Sequence, residues 1–150
     1  MVIYRIAERK HASDLNGTGA SLYPGRWNKK GTPVLYAGEN QEIALLETIV
    51  HTPPMLVPNL DMLTIHIPDV SITELRISDL PKNWAQYPAP SILTEIGEDW
   101  VQEAKTIALK VPSSVIHASH NFILNCAHKD YRKVKVLDHR PFHFDSRLTS

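Results

Sequence analysis

The sequence predicts an α+β protein with a mixed, largely antiparallel sheet core and surrounding helices. Segments with strand-like and helix-like hydrophobic patterns follow one another in irregular order, without the strict alternation of a parallel α/β fold. The Gly-x-Gly-x-x-Gly turn of a doubly wound nucleotide fold is also missing from the sequence, and Gly17-Thr18-Gly19 is too short to replace it. A chain of 150 residues suits one domain, and we expect residues 1–150 to form it.

The predicted strands are short runs of aliphatic and aromatic residues bounded by turn-forming residues. They cover residues 2–7, 34–37, 62–67, 72–77, 114–117, 133–137 and 142–144. Five of the six glycines fall between positions 17 and 38, together with two prolines. This part of the chain is therefore expected to form long ordered loops, broken by the strand at residues 34–37.

Two segments have the periodicity of helices. Residues 41–51 have a broad apolar face, Asn40 is a candidate N-cap, and Pro53 and Pro54 are expected to stop the helix. Residues 91–109 form the second helical segment, with an interruption at Gly97 left open. The Pro112 that follows separates this segment from a pair of serines.

Charge and cysteine content exclude several classes of protein. The 16 Lys and Arg residues balance the 16 Asp and Glu residues, so binding of nucleic acid or of an acidic membrane is not expected. Cys126 is the only cysteine, which excludes an internal disulfide and a cysteine-rich zinc site. The eight histidines lack a metal-binding spacing, so no metal is expected. Without an apolar signal or a membrane-spanning run, we expect a cytoplasmic protein.

Glu47 is the first candidate for chemistry, because it interrupts the apolar face of the predicted helix. A carboxylate at this position is expected to be partly removed from water. One interpretation places it at the edge of the core, paired with an arginine. The other makes it an acid in the wall of a pocket, where partial burial tunes its pKa or its hydrogen bonds.

Arg26, Tyr36 and the serine pair are the other candidates. Arg26 follows the turn formed by Pro24 and Gly25, where a guanidinium is suited to bind phosphate or carboxylate, or simply stacks on a ring at the surface. Tyr36 lies in an apolar strand, and the simplest interpretation is a core tyrosine whose hydroxyl reaches the edge of the core. Ser113 and Ser114 lack the Gly-x-Ser-x-Gly pattern of a hydrolase, which favours a hydroxyl that binds substrate or caps the backbone.

Several short motifs occur in an order that chance does not explain. They are Tyr4-Arg5, Gly17-Thr18-Gly19-Ala20, Gly25-Arg26-Trp27-Asn28, Gly31-Thr32-Pro33-Val34, Tyr36, Ala44-Leu45-Leu46-Glu47, Val111-Pro112-Ser113-Ser114-Val115, Asn121-Phe122-Ile123-Leu124-Asn125, His128 and Pro141-Phe142-His143-Phe144-Asp145-Ser146-Arg147-Leu148. This set resembles the RES-domain family, which is named after an Arg, a Glu and a Ser. Pro24 and Cys126 depart from the family pattern, but neither replaces a proposed catalytic group.

The resemblance implies a fold similar to that of ADP-ribosyltransferases and the toxin half of a bacterial type II toxin–antitoxin pair. It implies NAD as a substrate rather than a bound cofactor, with cleavage of the nicotinamide–ribose bond by hydrolysis or phosphorolysis. By motif, the implied catalytic residues are Arg26, Tyr36, Glu47 and Ser113. The implied NAD-binding residues are Arg5, Arg26, Tyr36, Ser114 and Asn121. Ser114 is also the fallback for Ser113.

The resemblance also implies partners and leaves alternatives open. A helix-turn-helix antitoxin of the Xre type is the implied protein partner, and a homodimer within the complex is a further expectation. One alternative is transfer of ADP-ribose to a specific cellular protein. Another is a degenerate domain that only binds an antitoxin, against which the retention of all four catalytic positions argues. A toxin that cleaves RNA receives little support from a net charge of zero.

Overall fold

The computed structural model describes residues 1–51 and 59–149. In this part of the chain, seven strands form one sheet. They are β1 (Val2–Glu8), β2 (Val34–Gly38), β3 (Leu60–His66), β4 (Ile72–Glu74), β5 (Ala108–Pro112), β6 (His120–Asn125) and β7 (Lys135–Phe142). The helices are α1 (Thr18–Leu22), α2 (Gln41–His51) and α3 (Ser91–Glu103), with short 3-10 turns at Arg9–His11, Ile77–Asp79, Tyr131–Lys133 and Ser146–Leu148.

The predicted fold class, α+β with a mixed and largely antiparallel sheet, is confirmed. The strand order is β4-β5-β6-β2-β1-β3-β7. β4 and β5 run parallel, and the other neighbouring pairs are antiparallel. The helix predicted at residues 41–51 has the predicted bounds, and the Asn40 side chain accepts a hydrogen bond from the Ile43 amide at 2.8 Å. The predicted stop at Pro53 and Pro54 lies outside the described residues.

The second predicted helix is wrong in its C-terminal third. α3 continues through Gly97 without a break and ends at Glu103, because Ala104 adopts a left-handed backbone with φ of 52°. Residues 108–112 then form β5, where Ala108, Leu109 and Val111 are buried on both faces of the sheet. A strand buried on both faces has a continuous apolar run, which periodicity alone does not distinguish from a helix.

Other corrections concern strands and one helix. The strand predicted at residues 114–117 is a turn, and the sheet instead contains β6, which the hydrophobic pattern did not indicate. The two strands predicted at residues 133–137 and 142–144 are one strand, β7. Pro141 is tolerated there because β7 lies at the edge of the sheet. The glycine-rich segment contains the short helix α1, after Gly17 with a φ of 76°.

The two faces of the sheet carry different cores. One face has Leu35, Phe122 and Leu124 packed with Ile3 and Leu63. The other face has Val34, Leu109, Val111 and Ile123 packed with residues of α3. We call this second face the helix face, because α2 also lies on it: Asn121, on the same side as Val111, reaches a side chain of α2. The candidate site lies on the helix face.

Among the residues that the structure describes, no helix is both long and apolar enough to cross a lipid bilayer.

Candidate functional site

The candidate site lies where α2 approaches the adjoining ends of β5 and β6. Glu47 belongs to α2, Asn121 to β6, and Ser113 follows the last residue of β5. Val111 pairs with Asn121 and Asn121 with Gly38, so these strands present Asn121 beside the helix. Glu47 can approach the sheet because Gly38 has no side chain, and a Cβ there would lie 2.8 Å from the Ala44 amide nitrogen.

Glu47 uses its two carboxylate oxygens differently. Oε1 accepts one hydrogen bond from the Ser113 hydroxyl and one from the Asn121 side-chain amide, both at 2.8 Å. Oε2 has a longer contact of 3.7 Å with Nε2 of His51, one helical turn away. The side chain of Glu47 remains 21% exposed. The protein therefore anchors one oxygen and leaves the other less constrained.

The surroundings of Glu47 favour its ionised form. Burial by itself raises the pKa of this carboxyl, but the contact with His51 and the hydrogen bonds from Asn121 and Ser113 together outweigh burial and hold the pKa below its usual value. Glu47 is therefore a carboxylate at neutral pH. A fixed negative charge, partly screened from water, can stabilise a nearby cation or a developing positive charge.

Ser113 is fully buried and fixed by the turn that follows β5. Its hydroxyl oxygen accepts hydrogen bonds from the amides of Val115 at 3.1 Å and Ile116 at 3.2 Å, which directs its proton to Glu47. We expected Ser113 at the end of a long helix, and it instead follows a strand. Ser114 is half-buried in the same turn, and the contact with Glu47 belongs to Ser113. Ser113 thus positions the carboxylate.

The Ser113→Ala substitution is expected to raise the pKa of Glu47 and to lower stability by about 1–3 kcal/mol, because one donor to the carboxylate and one buried acceptor disappear. A carboxyl with a depressed folded-state pKa contributes stability that is present above its unfolded pKa and lost as the pH falls. The loss in the variant should therefore shrink toward acid pH. Denaturant unfolding between pH 3 and pH 7 measures it. Ser114→Ala is the matched control, and an equal loss in both variants would contradict the assigned role.

Arg26 lies in the loop between α1 and β2 and is half-buried. Its Nη1 donates hydrogen bonds to the carbonyls of Trp84 at 2.8 Å and Gln86 at 3.0 Å. Burial lowers the pKa of Arg26, and the negative charge of Glu47 opposes that effect. Within the described part of the chain, Arg26 and Glu47 form no direct ion pair. The site therefore holds a cation and an anion that interact through space.

Tyr36 is half-buried on the helix face of β2, and its hydroxyl is occupied by the protein. It donates to Oδ1 of Asn28 at 2.7 Å and accepts from the amide of Trp27 at 3.1 Å. Burial raises the pKa of Tyr36. Gly25 packs against the ring so closely that a Cβ would lie 2.9 Å from the Tyr36 Cζ. The tyrosine thus supports the loop that carries Arg26.

Asn28 holds the same loop together from within. It is 2% exposed, and its amide nitrogen donates to the carbonyls of Ala20 at 2.8 Å, Thr32 at 3.2 Å and Lys29 at 3.2 Å. Its oxygen accepts from Tyr36 and from the Gly25 amide at 2.8 Å. The sequence contained Asn28 in a motif without indicating this role. Its partners all lie within eight positions of it, from Ala20 to Tyr36, and they meet because the loop folds back on itself.

Arg5 is not brought to Glu47. It pairs with Leu63, while its neighbour Tyr4 pairs with Gly38, so the Arg5 side chain leaves the sheet on the face opposite to the helix face. Its Nη1 donates to the backbone carbonyl of Tyr36 at 2.8 Å. Arg5 therefore supports β2 from behind. Of the predicted residues, the structure brings Arg26, Tyr36, Glu47, Ser113 and Asn121 to one region of the helix face.

His51 was missed by the reasoning from sequence, although a signal was available. Glu47 and His51 are four residues apart in a predicted helix, which places their side chains side by side. In the described ranges 1–51 and 59–149, no group of three or more His, Cys, Asp or Glu side chains is arranged to hold a metal ion. Ser113 and Asn121 instead act as hydrogen-bond donors to the Glu47 carboxylate.

Comparisons with known proteins agree with the motif order. The family described as "RES domain" matches residues 2–145. "Toxin Res" of Photorhabdus laumondii is 40% identical to this chain, over 99% of the chain and 97% of the relative. "Toxin Res" of Yersinia enterocolitica is 35% identical, over 99% of each. "Prs ADP-ribosylating toxin" of a Sphingobium species is 32% identical, over 95% of the chain and 91% of the relative.

A solved structure has a similar fold. It is the crystal structure of the M. tuberculosis MbcT-MbcA toxin-antitoxin complex, with a TM-score of 0.77 over 99% of this chain and 86% of the solved chain. The two sequences are 17% identical, so this likeness concerns the fold alone.

Proposed function

The chain belongs to the RES-domain family, and from this premise we propose that it is the toxin of a toxin–antitoxin pair that consumes NAD by cleaving its nicotinamide–ribose bond. The observation that carries the proposal is the grouping of Arg26, Tyr36, Glu47, Ser113 and Asn121 on one face of the sheet. NAD has an anionic pyrophosphate and a cationic nicotinamide ring. A site with a separated cation and anion is complementary to it.

The carboxylate of Glu47 serves the bond-breaking step. The C–N bond breaks with its electron pair going to the ring nitrogen, so nicotinamide leaves neutral and positive charge develops on the ribose. Glu47 stabilises this charge and accepts a hydrogen bond from a ribose hydroxyl. A nucleophile then adds to the ribose carbon. When the nucleophile is water, one of its protons stays on the new hydroxyl and the other goes to solvent. Ser113 and Asn121 hold the carboxylate in place and keep it ionised.

Arg26 serves the binding step. Its Nη1 donates to two backbone carbonyls, and Nε and Nη2 have no hydrogen-bond partner among the described residues, so they are left for a ligand. A guanidinium fixed in this way is suited to bidentate contact with the pyrophosphate. Tyr36 contributes its ring and its hold on the loop, because its hydroxyl already has two protein partners.

Release of nicotinamide tests this function directly. Purified protein is incubated with NAD, and free nicotinamide and the ADP-ribose product are followed by chromatography. We expect one nicotinamide for each NAD consumed, over many turnovers. The second product should be ADP-ribose or, when phosphate is supplied, ADP-ribose 1-phosphate. Absence of release under both conditions and in the presence of a cell lysate would overturn the proposal.

The Arg26→Lys substitution is expected to raise the KM for NAD about tenfold with a smaller effect on kcat. A lysine keeps the charge, but it lacks the planar guanidinium that can donate to two carbonyls and to a phosphate at the same time. Steady-state kinetics measures both constants. Arg140→Lys is the matched control, since Arg140 is an exposed partner of Asp138 on β7. A KM equal to that of the wild type would argue against pyrophosphate binding by Arg26.

Transfer of ADP-ribose to a cellular protein is the second candidate, favoured by the similarity to a toxin named for ADP-ribosylation. In that reaction a side chain of the target replaces water as nucleophile. Labelled NAD added to lysate discriminates between the two reactions. A single labelled protein band supports transfer, and release of nicotinamide without a labelled band supports degradation.

We also propose an antitoxin partner of the helix-turn-helix Xre type, which acts in the cytoplasm and holds the toxin in a complex, with a toxin homodimer as a further expectation. The surface near Arg26 supports a protein partner. Tyr23 is 83% exposed and Tyr87 is 86% exposed, and Tyr87 follows the Gln86 carbonyl that binds Arg26. Exposed aromatic residues near a site are typical of interaction surfaces. Copurification with the product of the adjoining gene tests this partner.

A further inference from the structure

We infer that His51 is a positioning residue for Glu47, and that the charge of its imidazole decides whether the free carboxylate oxygen is available to the substrate. This inference rests on the proposed function. It is carried by the unequal environment of the two oxygens of Glu47. Oε1 has two short hydrogen bonds from groups that cannot change charge near neutral pH, Ser113 and Asn121.

The second oxygen, Oε2, is the one that a substrate can use. A carboxylate oxygen with two hydrogen bonds at 2.8 Å has little remaining capacity for a third donor. Among the residues that the structure describes, Oε2 has only the contact with Nε2 of His51 at 3.7 Å, which is too long for a strong hydrogen bond. His51 is 70% exposed at its side chain, so it can move relative to Glu47 without disturbing the core.

The imidazole therefore has two effects, depending on its proton. A neutral ring is at most one weak donor to Oε2, and the full negative charge is available to the ribose. A protonated ring forms an ion pair with Oε2, competes with the ribose hydroxyl and offsets the field that stabilises the developing cation. Histidine is the side chain that changes charge between pH 5 and pH 8. Turnover should consequently fall as the pH drops through this range.

Other titratable groups near α2 could also affect the pH profile. Tyr36 and Arg26 keep their charge state in this range, because burial raises the pKa of Tyr36 further and an arginine stays protonated throughout it. The charged side chains of β1 point elsewhere: Arg5 lies on the opposite face, and Glu8 pairs with Lys10 and His11. Glu42 belongs to the first turn of α2, and residues 52–58 contain no ionisable side chain. The relevant competitors are His117 and the His120–Glu39 pair.

A pair of substitutions at position 51 tests the inference through the pH profile of kcat between pH 5.5 and pH 8.5. His51→Gln keeps a neutral donor and should remove the acid limb, retaining high kcat at low pH. His51→Lys fixes the positive charge and should hold kcat about fivefold below the high-pH plateau of the wild type throughout this range. A purely structural role predicts equal effects of both variants at all pH values. His120→Gln and His117→Gln are controls that should keep the acid limb of the wild type.

A measurement without turnover separates this inference from the proposed function. The Glu47 carboxyl is titrated by carbon-13 NMR in the wild type and in His51→Gln, where loss of the His51 contact should raise the pKa of Glu47. A raised pKa without any nicotinamide release would overturn the proposed function and retain the pairing. An acid limb in His51→Gln equal to that of the wild type, or an unchanged titration of Glu47, would overturn the inference.

Discussion

The Glu47→Gln substitution should reduce kcat for nicotinamide release by about 100- to 1000-fold, with little change in KM. The amide has the shape of the carboxylate, and its oxygen can still accept hydrogen bonds from Ser113 and Asn121. What disappears is the negative charge that the proposed mechanism places next to the developing ribose cation. The loss of one preorganised electrostatic group in an enzyme active site typically costs this much in rate.

The effect on kcat distinguishes this role from simple binding. If Glu47 only bound the ground state of NAD, the substitution would raise KM and leave kcat unchanged. Steady-state rates, together with denaturant unfolding of the same preparations, separate chemistry from folding. Glu39→Gln is the matched control, because Glu39 is a half-buried carboxylate paired with His120 outside the Glu47 cluster. Undiminished release by Glu47→Gln would remove the carboxylate from the mechanism.

The parts of this fold that sequence predicted are those determined by local patterns. α2 was predicted with its bounds because an N-cap residue precedes a regular apolar face, and both signals lie within a dozen residues. The junction between α3 and β5 was mispredicted because the information is not local. Ala108 and Val111 are fully buried by neighbouring strands that join the sheet from elsewhere in the chain.

The same distinction applies to the candidate site. Glu47 was identifiable because a charged residue interrupts an apolar helical face, and Arg26 because it follows a proline–glycine turn. The partners of Glu47 in β6 and after β5 are more than 60 positions away, at separations of 74 and 66 residues. The buried Asn28 differs in range, because its five hydrogen bonds stay within eight positions of the chain, but they too exist only once the loop has closed. Residue type and local spacing identified candidates, while tertiary packing determined their contacts.

Gly97 connects the stability of the fold with the position of Arg26. It lies in the middle of α3, where the helix packs directly against the backbone of Trp27. A Cβ at position 97 would lie 1.8 Å from the Trp27 carbonyl oxygen and 2.8 Å from its carbonyl carbon. The next helix residue, Glu98, also accepts hydrogen bonds from Thr32 and from the Lys29 amide. α3 and the loop that carries Arg26 are therefore in direct contact.

The Gly97→Ala substitution should lower the free energy of unfolding by about 3 kcal/mol, because overpacking against backbone atoms cannot be relieved by a side-chain rotation. Gly19→Ala is the matched control. It also lies within a helix, has no atom within 4 Å of the added Cβ, and should change stability little or increase it slightly. Denaturant unfolding measures both variants.

The KM for NAD of the folded Gly97→Ala protein is the second measurement. To accept the methyl group, the backbone at Trp27 has to move away from α3, and Arg26 and Asn28 move with it. We therefore expect a raised KM for NAD in the folded variant, as in Arg26→Lys, although Gly97 itself contacts no substrate. Unchanged stability would show that α3 shifts as a rigid body. Lost stability with an unchanged KM would show that Arg26 does not depend on this packing for its place in the site.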